Sequence, residues 1–310
     1  MIRNNPDMKT IQLWPELPAL EEWIDTLKNL HLWTQIIGKI RLTYMPWINH
    51  SWHTTLYVSA HGLTTSFIPH DNSGFEVEFD FVNHRLNINT VHGKDRQIQL
   101  QPMTVADFYH AVKENLSELG IPLEIYEKPV EIPDPILPFP EDHKHKAYDK
   151  ESVYRFWRAL TDAHRVLTRF RAGFIGKVSP VHFFWGAFDL AVTRFSGRTA
   201  PKHPGGAPNC ADWVMEEAYS HELSSAGFWP GTGFGEPAFY AYAYPEPDGF
   251  RNASPLPKEA FYYEPLGEYV FPYRALRKYN NPEETLLAFL RATYEAAADQ
   301  GNWDRKSLER

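Results

Sequence analysis

The sequence has very little cysteine and no long apolar run. Cys210 is the only cysteine in 310 residues, which excludes an intrachain disulfide and a cysteine-rich zinc site. No stretch approaches the roughly 18 consecutive apolar residues of a membrane-spanning helix, and the first residues lack the apolar core of a secretory signal peptide. These absences predict a cytoplasmic protein that does not contact membranes.

Basic residues are also few. Lys and Arg total 31 against 39 Asp and Glu, for a net charge of −8 at pH 7, whereas nucleic-acid binding depends on cationic side chains that neutralise phosphates. The phosphate-binding loop, the His-Glu-x-x-His zinc motif and the Gly-x-Ser-x-Gly elbow are missing. The glycine-rich segment 231–235 lacks the flanking strand and helix of a dinucleotide-binding loop. The sequence therefore predicts no nucleic-acid partner and leaves the cofactor undetermined.

Aromatic residues, by contrast, are abundant. Phe, Trp and Tyr make up 15% of the chain, and ten of these residues are tryptophans. Most large rings pack in hydrophobic cores, but rings beyond that need often line ligand clefts. We therefore expect one aromatic-walled pocket for a small polar or anionic molecule, in either an enzyme or a ligand-binding protein.

One pattern of elements occurs twice. A helix candidate that ends in Ile-Gly-Lys and leads into an apolar hairpin is found before residue 40 and again before residue 178. The repetition predicts an α+β fold, in which two similar modules of antiparallel sheet flanked by helices arose by internal duplication. A proline-rich segment, unfavourable for helix or central strand, separates them. The predicted domains are residues 1–121, a connector over 122–148, and residues 149–310.

Local signals predict where several elements begin and end. Residues 75–81 and 239–244 alternate in the manner of strands, and residues 211–223 favour a short helix. Glycines predict the ends of two long helices at Gly38 and Gly176. Side chains that can cap a helix N-terminus predict three helix starts, at Thr104, Asp149 and Asn281.

The first candidate site lies in a predicted hairpin of the second module. His182 stands among large apolar residues, where burial would keep its imidazole neutral, and Arg194 is expected opposite or diagonal to it. With Asp189 they would form a polar cluster beside Trp185, His182 acting as an acid–base or ligating group and Arg194 holding an anion. The alternative is a structural histidine beside an Asp189–Arg194 pair that holds the turn.

The second candidate site lies in residues 219–231. On a helix, His221 and Glu222 would point about 100° apart, so one is expected to take part in catalysis and the other to support it. Alternatively, His221 caps the helix C-terminus as a cation. Trp229 is expected to form a wall of the pocket.

Three further features of the sequence bear on function. If residues 50–53 are helical, His50 and His53 share a face and could bind a metal with His182 or His221, although no carboxylate is near them in sequence. In a strand the two histidines would face opposite ways. Cys210 has no evident base partner and is not a candidate nucleophile.

Arginines recur at helical spacing along one predicted helix. Such a face suits an anionic ligand, an acidic protein partner or solvent. It gives the alternative function, a non-catalytic interaction module. The arginines are Arg155, Arg158, Arg165 and Arg169, followed by Arg171.

Long segments of the chain resemble one protein family. Residues 170–198 read FRAGFIGKVSPVHFFWGAFDLAVTRFSGR, and this run resembles the signature of an uncharacterised bacterial family. Residues 14–18, 219–231 and 242–247 are similar to the same family pattern. The resemblance implies a complete family member and directs attention to His182, Asp189, Arg194 and His221, but it implies no activity.

Overall fold

The computed structural model describes residues 13–254 and 257–310. Within these ranges the chain forms seven α-helices and two antiparallel sheets of six strands each, flanked by helices, so the α+β prediction is confirmed. None of the helices described is both long enough and apolar enough to cross a bilayer. The first 12 residues of the predicted first domain lie outside the described residues.

The first half of the chain contains the predicted order of helix, sheet and helix. Trp33 of the first helix stacks on Phe108 of the second, with ring centroids 4.6 Å apart. The elements are α1 (Leu20–Tyr44), β1 (Tyr57–Val58), β2 (Gly62–Thr64), β3 (Ile68–His70), β4 (Ser73–Asp80), β5 (Arg85–Thr90), β6 (Asp95–Gln99) and α2 (Val105–Glu118). In the sheet, the strands follow the order β1-β2-β4-β5-β6, and β3 pairs with β4.

The second half contains the other sheet. Its helices and strands are α3 (Lys150–Ala172), β7 (His182–Phe184), β8 (Asp189–Thr199), α4 (Asp212–Ala218), β9 (His221–Trp229), β10 (Ala238–Tyr244), β11 (Phe261–Tyr263), β12 (Glu268–Pro272), α5 (Tyr273–Leu276), α6 (Pro282–Gln300) and α7 (Arg305–Leu308). The strands of this sheet follow the order β11-β12-β10-β9-β8-β7. Short 3-10 turns occur at Asn49–Ser51, Phe139–Glu141 and Phe250–Asn252.

The three predicted helix starts are confirmed. Thr104 accepts a hydrogen bond from the backbone N–H of Asp107 at 3.0 Å, and Asp149 accepts one from Ser152 at 2.8 Å. Asn281 caps α6 in the same way. Each cap joins groups three residues apart, so the sequence alone contains what forms it.

The predicted ends of α1 and α3 are wrong. α1 continues through Gly38 to Tyr44. Gly38 makes room for a neighbour rather than ending the helix, since a Cβ at Gly38 would be 2.1 Å from Trp185 Cδ1. α3 ends earlier, at Ala172, with Gly173 as its C-cap.

The predicted helix over 211–223 is also too long. α4 ends at Ala218, and residues 221–229 form β9, a central strand paired with both β8 and β10. Hydrogen bonding and packing on both sides of the strand outweigh the local preference for helix.

The two sheets meet within one hydrophobic core. Leu56 and Phe183 form a single antiparallel bridge: the distance from Leu56 N to Phe183 O is 2.9 Å, and that from Phe183 N to Leu56 O is 2.7 Å. One cluster of buried residues includes Trp33 from the first half and Phe228 from the second. The strand orders of the two sheets differ, and the internal duplication and the domain boundaries remain predictions.

Candidate functional site

One face of the second sheet forms a pocket. On β8, alternate residues from Asp189 to Phe195 face this side, as do Tyr240, Tyr242 and Tyr244 of β10. The other face packs against helices, and Phe156 of α3 stacks on Phe228 of β9. α4, the turn at 49–51 and part of the connector surround a volume of about 850 Å³, which is within the range of small-molecule sites.

Aromatic rings form most of the walls. Both predicted wall residues line this pocket: the indole N–H of Trp185 donates to Thr54 O at 2.7 Å, and that of Trp229 donates to Thr232 O at 3.2 Å. These bonds hold the rings in fixed positions. The remaining aromatic lining includes Trp47, Trp52, Tyr126, Phe184, Trp213 and Tyr219.

Carboxyl groups from three separate elements meet in the pocket. Asp189, only 8% exposed, accepts a hydrogen bond from the Tyr240 hydroxyl, and burial raises its pKa to about 6. Burial, followed by the charge of Asp189, raises the pKa of Glu131 to about 7 and that of Glu268 to about 8. Among the described residues, no Lys or Arg forms an ion pair with any of the three. The described part of the chain therefore brings three carboxyl groups together here without pairing any of them to a Lys or Arg.

Tyr240 reaches Asp189 across Gly227. In the sheet register, Gly227 of β9 lies between Ala191 of β8 and Tyr240 of β10. A Cβ at this glycine would be 2.5 Å from the Tyr240 hydroxyl oxygen and 2.2 Å from Leu190 O. Gly227 therefore leaves the space that the tyrosine needs to contact Asp189.

Glu131 is positioned by α1, although it belongs to the connector. The Gln35 side chain accepts a hydrogen bond from Val130 N at 2.9 Å and donates to Val130 O at 2.8 Å. The backbone N–H of Glu131 donates to Pro208 O at 2.7 Å, and its carboxyl group lies against Gly186. Sequence reasoning missed Glu131, because an isolated carboxylate in a proline-rich segment gives no local signal.

Lys39 also lines the pocket, and sequence reasoning missed it as well. Its side chain is only 2% exposed, and its Nζ lies 5.0 Å from the ring centre of Tyr126 and 5.9 Å from that of Trp185. Burial lowers the pKa of Lys39 to about 8. A single lysine within the apolar run 36–40 was the available signal.

The predicted cluster of His182, Asp189 and Arg194 does not form. His182 lies opposite Ala191, so its expected pairing with Arg194 is wrong. Asp189 and Arg194 are five residues apart on one strand and therefore point to opposite faces. The Arg194 guanidinium lies 3.5 Å from the ring centre of Phe170, outside the pocket lining. The Asp189–Arg194 turn pair is therefore not formed, and the anion-binding role of Arg194, which lies outside this pocket, remains a prediction.

His182 is completely buried outside the pocket lining. Its Nδ1 lies 3.2 Å from the Thr55 hydroxyl, and burial lowers its pKa to about 3. The imidazole is therefore neutral, as expected from its apolar neighbours. These contacts match the structural alternative, and the predicted acid–base role remains a prediction.

His221 and Glu222 are consecutive residues of a strand rather than of a helix, so their side chains point to opposite faces. Glu222 pairs with Arg198 at 2.6 Å, and His221 Nδ1 lies 3.0 Å from the Ser220 hydroxyl. Neither residue lines the pocket. The helix-capping alternative for His221 is thereby wrong, while the catalytic roles of both residues remain predictions.

The histidines considered for a metal have other partners. His50 Nε2 accepts a hydrogen bond from Lys177 Nζ at 2.6 Å, and His50 Nδ1 lies 2.9 Å from Ala218 O. His53 Nδ1 contacts the backbone of Ile48. Within residues 13–254 and 257–310, no three His, Cys, Asp or Glu side chains are grouped so that they could hold a metal ion.

The arginines of α3 make contacts within the chain. Arg165 pairs with Glu283 at 2.6 Å and Arg169 with Glu284 at 2.7 Å, which links α3 to α6. Arg155 pairs with Glu151 on its own helix. The face that was expected to contact a protein partner thus holds two helices together, and the interaction-module alternative remains a prediction.

The family model of a family of unknown function, DUF5996, matches residues 14–310, so the chain belongs to this family. This confirms the family resemblance of the sequence. The comparisons with curated proteins and with solved structures found no match.

Proposed function

We propose that this protein binds a small polar organic molecule with a cationic group, such as an amine, in the aromatic-walled pocket. The observation that carries the proposal is that Asp189, Glu131 and Glu268 meet in one pocket while no Lys or Arg among the described residues forms an ion pair with them. Carboxylates and the faces of aromatic rings both attract cations, most strongly where water is excluded. The expectation of an anion depended on Arg194, which lies elsewhere.

The raised pKa values of the three carboxyl groups also favour a positively charged ligand. They express the free energy needed to ionise carboxyl groups that protein surrounds and that repel one another. A bound cation would favour the ionised forms and would lower these pKa values. Because the three groups titrate near neutral pH, they also suit acid–base catalysis on the bound molecule, so the proposal includes an enzyme as well as a binding protein. We place this activity in the cytoplasm, which agrees with the single cysteine.

Calorimetric titration with choline and with its uncharged isostere 3,3-dimethylbutan-1-ol, together with phenethylamine and putrescine, tests the proposal. We expect at least one amine to bind, and choline to bind more tightly than its isostere if the quaternary group fits. Asp189→Asn should weaken amine binding by roughly 10- to 100-fold, the range of one charge-assisted hydrogen bond. The exposed carboxylate Asp25, changed to Asn, is the matched control. Absence of binding by every amine, or equal affinity in wild type and Asp189→Asn, would contradict the proposal.

A further inference from the structure

We infer that the ligand is zwitterionic: its cationic group is held by Asp189, Glu131 and Glu268, and its anionic group, a carboxylate, is held by Lys39. This inference rests on the proposed function and narrows the class of ligand. It assigns a role to Lys39, a buried lysine of the pocket that the cation proposal leaves unused.

Lys39 is buried without a counter-ion. An ammonium group that is removed from water destabilises the fold unless a carboxylate or other hydrogen-bond acceptor compensates it. Its side chain is 2% exposed and lies between aromatic rings, with Nζ 5.9 Å from the ring centres of both Phe139 and Trp185. In the part of the chain that the structure describes, no carboxylate pairs with it. Ring faces compensate such a charge only in part.

The positive and negative groups of the pocket lie apart. Of the ionisable groups, only Cys210 shifts the pKa of Lys39 through its charge, and burial raises the pKa of that thiol, so Cys210 supplies no negative charge near pH 7. Trp185 lies beside Lys39, and the next residue, Gly186, contacts the carboxyl group of Glu131. Residues 185 and 186 therefore bring the two charges to one part of the lining, and both charges also shift the pKa of Cys210. A molecule lying along this part of the pocket could pair with both.

The pH dependence of binding follows from the groups at the two ends. Burial lowers the pKa of Lys39, which faces Cys210 and three rings, to about 8. Burial raises the pKa of Asp189, which faces Tyr240 and the other two carboxyl groups, to about 6. As the pH falls, Asp189 is the last of the three carboxyl groups to take up a proton. A zwitterion should therefore bind best between these values, weakening below pH 6 as Asp189 is neutralised and above pH 8 as Lys39 loses its proton. An amine without an acid group should weaken on the acid side only, until the amine itself loses its proton.

Matched sets of three probes test the inference by calorimetry. The sets are phenylalanine with phenethylamine and 3-phenylpropionate, tryptophan with tryptamine and indole-3-propionate, and 5-aminovalerate with pentylamine and valerate. In at least one set we expect the zwitterion to bind about tenfold more tightly than its amine, as an added charge-assisted bond would give. Lys39→Met should remove this preference, so that the ratio of zwitterion to amine affinity falls about tenfold, because the carboxylate then has no ammonium to pair with. Lys113→Met is the control, because Lys113 also lies over a ring, that of Tyr109, but outside the pocket.

The outcomes separate this inference from the proposed function. If amines bind but no zwitterion exceeds its amine in any set, the inference is overturned and the cation pocket stands. The same holds if Lys39→Met weakens amine and zwitterion equally. If no amine binds, the proposed function fails, and the inference fails with it. If Lys39→Met does not fold, the wild-type profile decides: a zwitterion preference that persists well above pH 8 contradicts a role for the Lys39 ammonium.

Discussion

Replacing Asp189 by Asn should make the protein more stable relative to wild type as the pH rises. Asp189 has a pKa of 3.8 as a free group and of about 6 in the fold. Each tenfold change in proton affinity corresponds to about 1.36 kcal/mol, so ionisation of this buried carboxyl group reduces the free energy of unfolding by up to about 3 kcal/mol. The wild type has this stability below pH 4 and loses it as the pH rises through 6. Asn has the same shape, can still accept from Tyr240 and does not ionise.

Urea denaturation followed by tryptophan fluorescence, at pH 4 and at pH 7.5, measures the effect. The quantity to compare is the difference in free energy of unfolding between Asp189→Asn and wild type, which should shift in favour of the variant by about 2–3 kcal/mol between the two pH values. Removing this charge also lowers the pKa of Glu131 and Glu268, which adds a shift of the same sign. Asp25→Asn, at an exposed site, should show little change. An equal difference at both pH values would refute the reasoning, because it would mean that burial does not perturb Asp189.

Two further predictions concern groups around the sheet. Gly227→Ala should reduce the free energy of unfolding by about 1–3 kcal/mol, because the added methyl group would displace the Tyr240 hydroxyl. Gly173→Ala is the control, because the nearest atom to an added methyl group there is 3.6 Å away. Equal effects of the two substitutions in denaturant titrations would contradict the packing argument. Burial lowers the pKa of His182 from 6.5 to about 3, so the unfolded chain takes up a proton that the fold excludes, and stability falls as the pH drops below 6.5. His182→Gln should remove this loss, about 2–3 kcal/mol at pH 4.5; if wild type and variant lose stability in parallel between pH 7.5 and 4.5, His182 is not the group responsible.

The sequence predicted elements whose causes are local. The caps at Thr104, Asp149 and Asn281 each join groups within three residues, and the α+β class follows from alternating and helical hydrophobic patterns. Errors arose where a distant residue decided the outcome. Gly38 was predicted to end α1, as glycines often do, but it lies within the helix, where its missing side chain leaves room for Trp185.

The candidate site was predictable only in part, for the same reason. Asp189, Trp185 and Trp229 could be selected because they stand in aromatic segments, and all three line the pocket. Glu131 could not, because it stands alone in a proline-rich segment, and the only signal for Lys39 was a single lysine in an apolar run.

The sequence by itself determined the secondary-structure class, the helix caps and the supply of aromatic rings, since these depend on residues close along the chain. Only the tertiary structure decided which charges meet. The register that puts Ala191 rather than Arg194 opposite His182, and the packing that brings Glu131 of the connector, Glu268 of β12 and Lys39 of α1 to one pocket, depend on contacts between distant segments. Such contacts form through burial of shared apolar surface, which no short stretch of sequence records.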